Sequence, residues 1–171
     1  MAEAALAEKE TGVEEVGDKG GKYLTFSLAG EDYGIAILKV KEIIGMLPIT
    51  PVPQAPDFLK GVINLRGRVI PVTDLRLKFG MEPLDYNERT CIIVVEVAGK
   101  ESNVLMGVVV DSVSEVLNIK AEEIQDTPEF GTKVNTDYIQ GIAKMDGGVK
   151  ILLDIDKVLS VEDMSQLGAS F

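Results

Sequence analysis

The chain has 171 residues, 46% of them hydrophobic and 26% charged, which suits one soluble globular domain, or two small fused ones, with a core of its own. Lys and Arg number 17 against 28 Asp and Glu, and the resulting formal charge of −11 repels phosphate backbones and anionic lipid surfaces, so neither nucleic acid nor a membrane is an expected partner. There is no histidine and a single cysteine, Cys91, which excludes Ser-His and Cys-His dyads, phosphohistidine chemistry, His-ligated metals, intrachain disulfides and multi-cysteine metal sites.

Residues 1–21 hold six acids, two lysines and almost no large apolar side chains, so burial cannot offset their ordering entropy and they read as a disordered acidic tail. The start lacks the basic region and long apolar stretch of a secretory leader, and no run reaches the roughly 18–20 apolar residues of a membrane helix. Together with the lone cysteine this suits a cytoplasmic protein. The glycines of 17–22 resemble a phosphate loop only faintly. Val16 stands where the first glycine belongs, Tyr23 replaces the Ser or Thr, and no strand precedes it.

From residue 22 the pattern turns strand-like: Leu24, Phe26 and Leu28 alternate with Thr25 and Ser27, residues 29–32 make a turn, and 33–37 return. Ile37, Val40 and Ile44 fall on one helical face, predicting a helix over 38–44 stopped by Gly45. Short extended runs follow at 49–53, 61–66 and 68–73. A short helix over 74–79 has Thr73 or Asp74 as cap and Gly80 as terminator. Strands are expected near 90–98, 103–110, 113–119, 138–145 and 148–153, with a loop at 127–136 and a C-terminal helix from about 155. Cys91 opens the apolar run that continues to Val95 and reads as a small core residue, since reactive thiols need open, electropositive surroundings. Many short strands punctuated by glycine turns predict a mainly β fold of small closed β-barrels with a few short helices.

The body also repeats itself. Gly34, Ile35, Val40, Glu42, Ile43 and Ile44 match Gly107, Val108, Val113, Glu115, Val116 and Leu117 at an offset of 73. At an offset of 80, Gly61, Val62, Leu65, Gly67, Val69, Val72, Asp74 and Leu75 match Gly141, Ile142, Met145, Gly147, Val149, Leu152, Asp154 and Ile155. Two blocks in the same order indicate a duplicated unit over 22–168, with copies at 22–80 and 89–160. Positions alike in both copies belong to the shared fold: Gly67 and Gly147 as strand-to-strand turns, Asp74 and Asp154 as helix caps. A divalent-cation site from Asp154, Asp156 and Asp111 has the right ligand chemistry but no loop signature behind it. Positions that differ are the better functional candidates. Asn64-Leu-Arg-Gly67 stands against Lys144-Met-Asp-Gly147, so Arg66 faces a counterpart of opposite charge, Asp146. It is either a solvated turn charge or a contact residue, and spacing alone leaves both open.

Three stretches carry a resemblance: residues 33–44 from Tyr33-Gly-Ile-Ala to Glu42-Ile-Ile44, residues 58–76 around Asn64-Leu-Arg-Gly67 with Val69-Ile-Pro-Val-Thr-Asp-Leu-Arg76, and Gly107-Val-Val-Val-Asp-Ser-Val-Ser-Glu-Val116. In order, over about 22–164, they are similar to the CheW-like domain family, the coupling proteins of bacterial chemotaxis. The resemblance implies two interlocked five-stranded β-barrel subdomains (SH3- or OB-like), no catalysis and no cofactor or metal. It implies an adaptor between methyl-accepting chemotaxis receptors and the regulatory domain of the histidine kinase CheA, able to join CheW-like domains in rings, cytoplasmic and drawn to the inner face of the membrane through receptors. Carried over position by position, the partner-binding residues are Val40 and Glu42 on the first helical segment, Gly61 and Arg66 about the Asn-Leu-Arg-Gly turn, Cys91, Val113 and Val116 near the receptor groove with Gly107 close by, and Phe130 at a second kinase contact. Cys91 departs from the family's usual aliphatic residue. Val40, Val113 and Val116 read equally well as core, and whether Glu42 and Arg66 pair with each other stays open. Phe130 lies in a polar loop with Pro128 and Gly131, where an aromatic anchor for a partner is the natural reading.

Two other readings compete. A paralogue with the same fold would scaffold a different receptor and kinase system, such as one for surface motility; a CheV-like protein or the kinase itself would need a receiver or ATP domain for which about 150 folded residues leave no room. An enzyme would need a nucleophile-base pair, phosphate loop or metal motif, none of which the sequence offers.

Overall fold

The computed structural model describes residues 20–99, 101–126, 136–145 and 148–159. The tail through residue 19, Phe130, Asp146, Gly147 and everything beyond 159 lie outside them. Among the described residues there are eleven strands, β1 (Gly21–Leu28), β2 (Glu31–Ala36), β3 (Val40–Gly45), β4 (Leu59–Leu65), β5 (Arg68–Asp74), β6 (Cys91–Val97), β7 (Val104–Val110), β8 (Ser112–Ile119), β9 (Ile124–Gln125), β10 (Ile139–Met145) and β11 (Gly148–Leu153), with two one-turn α-helices, α1 (Leu75–Lys78) after β5 and α2 (Ile155–Val158) after β11. β1 already begins at Gly21, the last residue of the predicted tail.

The strands form two sheets, one in the order β8-β1-β2-β11-β10-β9 and one in the order β3-β6-β7-β5-β4. Each sheet takes strands from both repeat copies. β1 and β2 of the first copy pair with β8 and β11 of the second, and β6 and β7 of the second pair with β3 and β5 of the first. The register repeats residue for residue. Gly34 lies opposite Leu152 and Gly107 opposite Val72 in the two parallel pairings. Val40 faces Val95 and Val113 faces Phe26, each beside an irregularity before Glu42 or Glu115. The β4–β5 and β10–β11 ladders both slip next to the matched glycines Gly61 and Gly141.

This pairing explains the longest apolar runs. On β6, Ile93, Val95 and Val97 point into a core shared between the sheets, while Ile92 and Val94 fill the interior of the five-stranded sheet. β7 divides likewise, Met106, Val108 and Val110 against Val109. A strand buried on both faces has no need of polar alternation. The shared core also takes Leu24, Phe26 and Leu28 from β1, and Tyr23, Ile119, Ala143 and Leu152 make a smaller cluster within the six-stranded sheet. Rings from both copies, Phe26, Tyr33, Phe79 and Tyr138, follow one another with centroids 6.0, 6.3 and 5.8 Å apart.

The two predicted caps are in place. Asp74 accepts from the Leu77 amide and Asp154 from the amides of Asp156 and Lys157. Tyr86 donates its hydroxyl to the other Asp74 oxygen at 2.8 Å, pinning the connection between the copies. Burial, and then that bond, push the phenol's pKa above its ordinary range.

Two expectations need correction. Residues 38–44 are not a helix: a 3-10 turn covers Ile37–Lys39, and Val40–Gly45 is strand β3. The β-branched residues Val40, Ile43 and Ile44 suit a pleated strand, and the three-residue spacings that mimic a helical face are overridden by pairing with β6. The run at 49–53 contributes only a single bridge, Thr50 to Val62, because Pro51 and Pro53 lack the amide donors a ladder requires.

Candidate functional site

The β4–β5 hairpin closes on two residues, Arg66 and Gly67, with φ of 52° and 85°. Positive φ at both central positions is the type I′ geometry, whose twist matches that of the flanking strands. Asn64 steadies it by accepting the Gly67 amide at 2.9 Å. For Arg66 the left-handed conformation costs about 1–2 kcal/mol that glycine would avoid. Its side chain is 70% exposed, and the guanidinium donates to the Glu42 carboxylate on β3. The pair that the sequence left open therefore forms, and it ties together β3 and the β4–β5 turn, from opposite edges of the five-stranded sheet. Exposed ion pairs add only about 0–1 kcal/mol, so stability does not account for a strained arginine at this turn.

The other candidates separate into layers. Val40, Cys91 and Val113 are half-buried, packed against the shared core, with only their outer edges available. Cys91 sits at the start of β6 with its thiol 3.2 Å from the Arg89 carbonyl. Val116 on β8 is 50% exposed and can meet a partner directly. Gly61 and Gly107 are buried. A Cβ on Gly107 would lie 2.8 Å from the Ile92 side chain, and one on Gly61 would lie 2.0 Å from the Thr50 carbonyl oxygen. Both glycines serve the fold beneath the surface. Val40, Glu42, Gly61, Cys91 and Gly107 belong to the five-stranded sheet, with Arg66 in its β4–β5 turn, and Val113 and Val116 to the six-stranded one.

Sequence reasoning missed Ile43 and Val69. Ile43 stands beside Glu42 and is 42% exposed; Val69 follows the Arg66 turn and is 64% exposed. Their repeat mates Val116 and Val149 are exposed as well. The signal lay in the repeat: apolar residues matched across copies on the outward phase of a strand, hidden while 38–44 read as a helix. Leu38, in the 3-10 turn, is the most exposed large apolar side chain among the described residues.

The three acids considered for a cation are each otherwise engaged. Asp111 receives Arg76 through two bonds of 2.8 and 2.7 Å and the Ala29 amide at 2.9 Å. Asp154 caps α2, and Asp156 pairs with Lys39 at 2.7 Å. Among the described residues no cluster of three or more His, Cys, Asp or Glu side chains is placed to hold a metal, and no helix is long and apolar enough to cross a membrane. What remains are exposed valine and isoleucine side chains on strands of both sheets and one exposed arginine held at a tight turn, groups suited to contact with another protein.

Residues 22–163 match the family described as CheW-like domain. The chain belongs to that family. It is 43% identical over 146 residues to the chemotaxis protein CheW of Klebsiella aerogenes, covering 85% of this chain and 86% of that one. Against CheW of Rhizobium meliloti the identity is 32% over 144 residues, 84% and 90% of the two chains. The crystal structure of a CheW scaffolding protein from Thermoanaerobacter tengcongensis superposes with a TM-score of 0.74 at 36% identity, covering 84% of this chain and 95% of that one. The protein is thus a CheW-type chemotaxis adaptor, and it acts by contact and not by catalysis.

Proposed function

We propose that the chain couples the cytoplasmic tips of methyl-accepting chemotaxis receptors to the regulatory domain of the kinase CheA, and that it works in the cytoplasm, beneath the membrane, within a receptor array. In this reading residues 22–168 are one unit of two copies, 22–80 and 89–160, with 1–21 as an acidic tail. The observation that carries it is Arg66, held in a left-handed turn, largely exposed, and restrained by Glu42 with exposed Ile43 and Val69 as neighbours in sequence to the pair. An exposed arginine held in one geometry is a residue type enriched at interface hot spots. Val40, Glu42, Cys91, Val113 and Val116 supply the partner-facing edges, Gly61 and Gly107 keep the strands beneath them in place, and Phe130 serves a separate contact used in ring assembly. Such head-to-tail contacts build rings rather than closed pairs.

The test is kinase autophosphorylation with receptor-bearing membranes, with and without this protein. Wild type should activate only when all three components are present. Arg66→Ala should keep close to the wild-type melting curve, since the left-handed strain is the same for any side chain with a Cβ and only an exposed ion pair is lost, while activation falls by about tenfold, a loss of about 1.4 kcal/mol. Phe130→Ala should weaken ring assembly more than receptor binding. Full activation by well-folded Arg66→Ala would remove the turn from the coupling surface, and absence of binding to both partners would defeat the adaptor reading for that system.

A further inference from the structure

Four ion pairs join the copies among the described residues; Lys41–Glu96 and Lys150–Asp32 have uncharged repeat mates and opposite polarities, whereas the other two form a matched pair of junctions whose charges follow a rule. At the first, Arg76 of α1 grips Asp111 through Nε and Nη2 at 2.8 and 2.7 Å, and the Ala29 amide, just after β1, donates to the same carboxylate at 2.9 Å. At the second, Lys39 lies 2.7 Å from Asp156 of α2, and the Ala98 amide, just after β6, donates to that carboxylate at 2.9 Å.

The parts correspond. Arg76 and Asp156 each lie two residues beyond the matched caps Asp74 and Asp154. Lys39 and Asp111 occupy the connections into the matched strands β3 and β8, one position apart in the alignment. Ala29 and Ala98 are equivalent by register, since Thr25 faces Gly34 as Val94 faces Gly107. The same three-way junction is thus built twice with its charges exchanged. In both, the cation comes from the first copy and the anion from the second.

The consequence appears when a copy is paired with its own kind. Two first copies would bring Arg76 against Lys39, and two second copies would bring Asp156 against Asp111. Like charges held close at partly buried sites repel, whereas the unlike copies form two ion pairs. We infer that Lys39, Arg76, Asp111 and Asp156 form a pairing code through which each half accepts the other half and rejects a second copy of itself, so that the duplicated chain closes on its own two halves rather than joining like halves of two chains. Discrimination of this kind rests on the repulsion built against the wrong partner as much as on attraction to the right one.

Refolding of the full chain from denaturant over a range of concentrations, read by size exclusion with light scattering, tests the code. Lys39→Asp with Asp156→Lys keeps an ion pair in the native junction but makes both like-with-like pairings complementary. Its melting midpoint should stay near wild type while its dimer fraction after refolding rises about fivefold, the factor that corresponds to about 1 kcal/mol. Adding Arg76→Asp with Asp111→Arg exchanges every charge, restores the rejection of like halves, and should return the dimer to the wild-type level. If the first variant fails to fold, Arg76→Asp with Asp111→Arg alone erases the code at the other junction and should give the same rise. A dimer fraction that stays at the wild-type level in a folded one-junction variant, or that remains raised in the fourfold exchange, would overturn the inference.

Discussion

Gly61→Ala should lower the unfolding free energy by about 3 kcal/mol or more, through overpacking and backbone strain together. The added Cβ would stand 2.0 Å from the Thr50 oxygen, 2.7 Å from its carbonyl carbon and 2.9 Å from the Pro51 Cα, all backbone atoms that no rotamer change can move aside. The glycine's φ of 144° lies where side-chain-bearing residues are strained. Relief would require breaking the reciprocal Thr50–Val62 bonds, both 2.9 Å, which hold the segment carrying Met46, Leu47 and Ile49 against the interior of the five-stranded sheet. Gly67→Ala is the control. It shares a positive φ, 85°, but its Cβ meets nothing within 4 Å, so only backbone strain of about 1 kcal/mol applies. Denaturant midpoints of the two variants should differ widely. Loss of partner binding in Gly61→Ala then follows from displaced strands. A Gly61→Ala protein of native stability that had lost only partner binding would make the glycine a contact in its own right.

The repeat was the strongest sequence signal because it recorded register. Gly34 and Gly107 matched since each must admit a side chain of the parallel strand opposite or of its own sheet, Leu152 in one case and Ile92 with Val72 in the other. Strand positions and both caps were readable from alternation and from Asp74 and Asp154. The first error came from a segment where two periods coincide. Ile37, Val40 and Ile44 satisfy a helical face, while the alternation of Val40, Glu42 and Ile44 against Lys41, Ile43 and Gly45 satisfies a strand, and only the partner strand β6 decides. Nothing local to 38–44 shows that partner.

The surface was half legible for the same reason. Arg66 stood out because its repeat mate has the opposite charge, but its ion pair with Glu42 spans residues brought together only by curling of the sheet. Ile43 and Val69 look like core until strand phase is known. Gly61 and Gly107 entered as contacts through family resemblance, although burial places them one layer beneath the surface. Position-specific resemblance marks where change is harmful, without separating a residue that touches a partner from one that shapes the residue that does.

Asp111→Ala should cost about 2 kcal/mol, below the 3–5 of a fully buried pair because solvent still reaches this site. The substitution strips the Arg76 guanidinium of both carboxylate bonds and the Ala29 amide of its acceptor, leaving only the 2.8 Å bond from Arg76 to the Glu82 carbonyl. Acid should reproduce part of this loss in wild type. The hydrogen bonds from Arg76 hold the Asp111 carboxyl below its ordinary value of 3.8, with burial opposing and the Ala29 amide assisting. A folded-state value depressed below the unfolded one contributes stability that is present above the unfolded value and lost as pH falls through the folded one. Unfolding free energy should therefore decline below about pH 4. Asp111→Asn, which cannot ionise, should show a shallower decline over that window. Some slope must persist even then, because Lys41 holds the Glu96 carboxyl low in the same way. Equal slopes for wild type and Asp111→Asn would mean that the Arg76 junction contributes nothing to acid sensitivity. A shallower slope together with a lower plateau near neutral pH would identify the carboxylate, and not the volume of the side chain, as what joins the first copy to the second at this point.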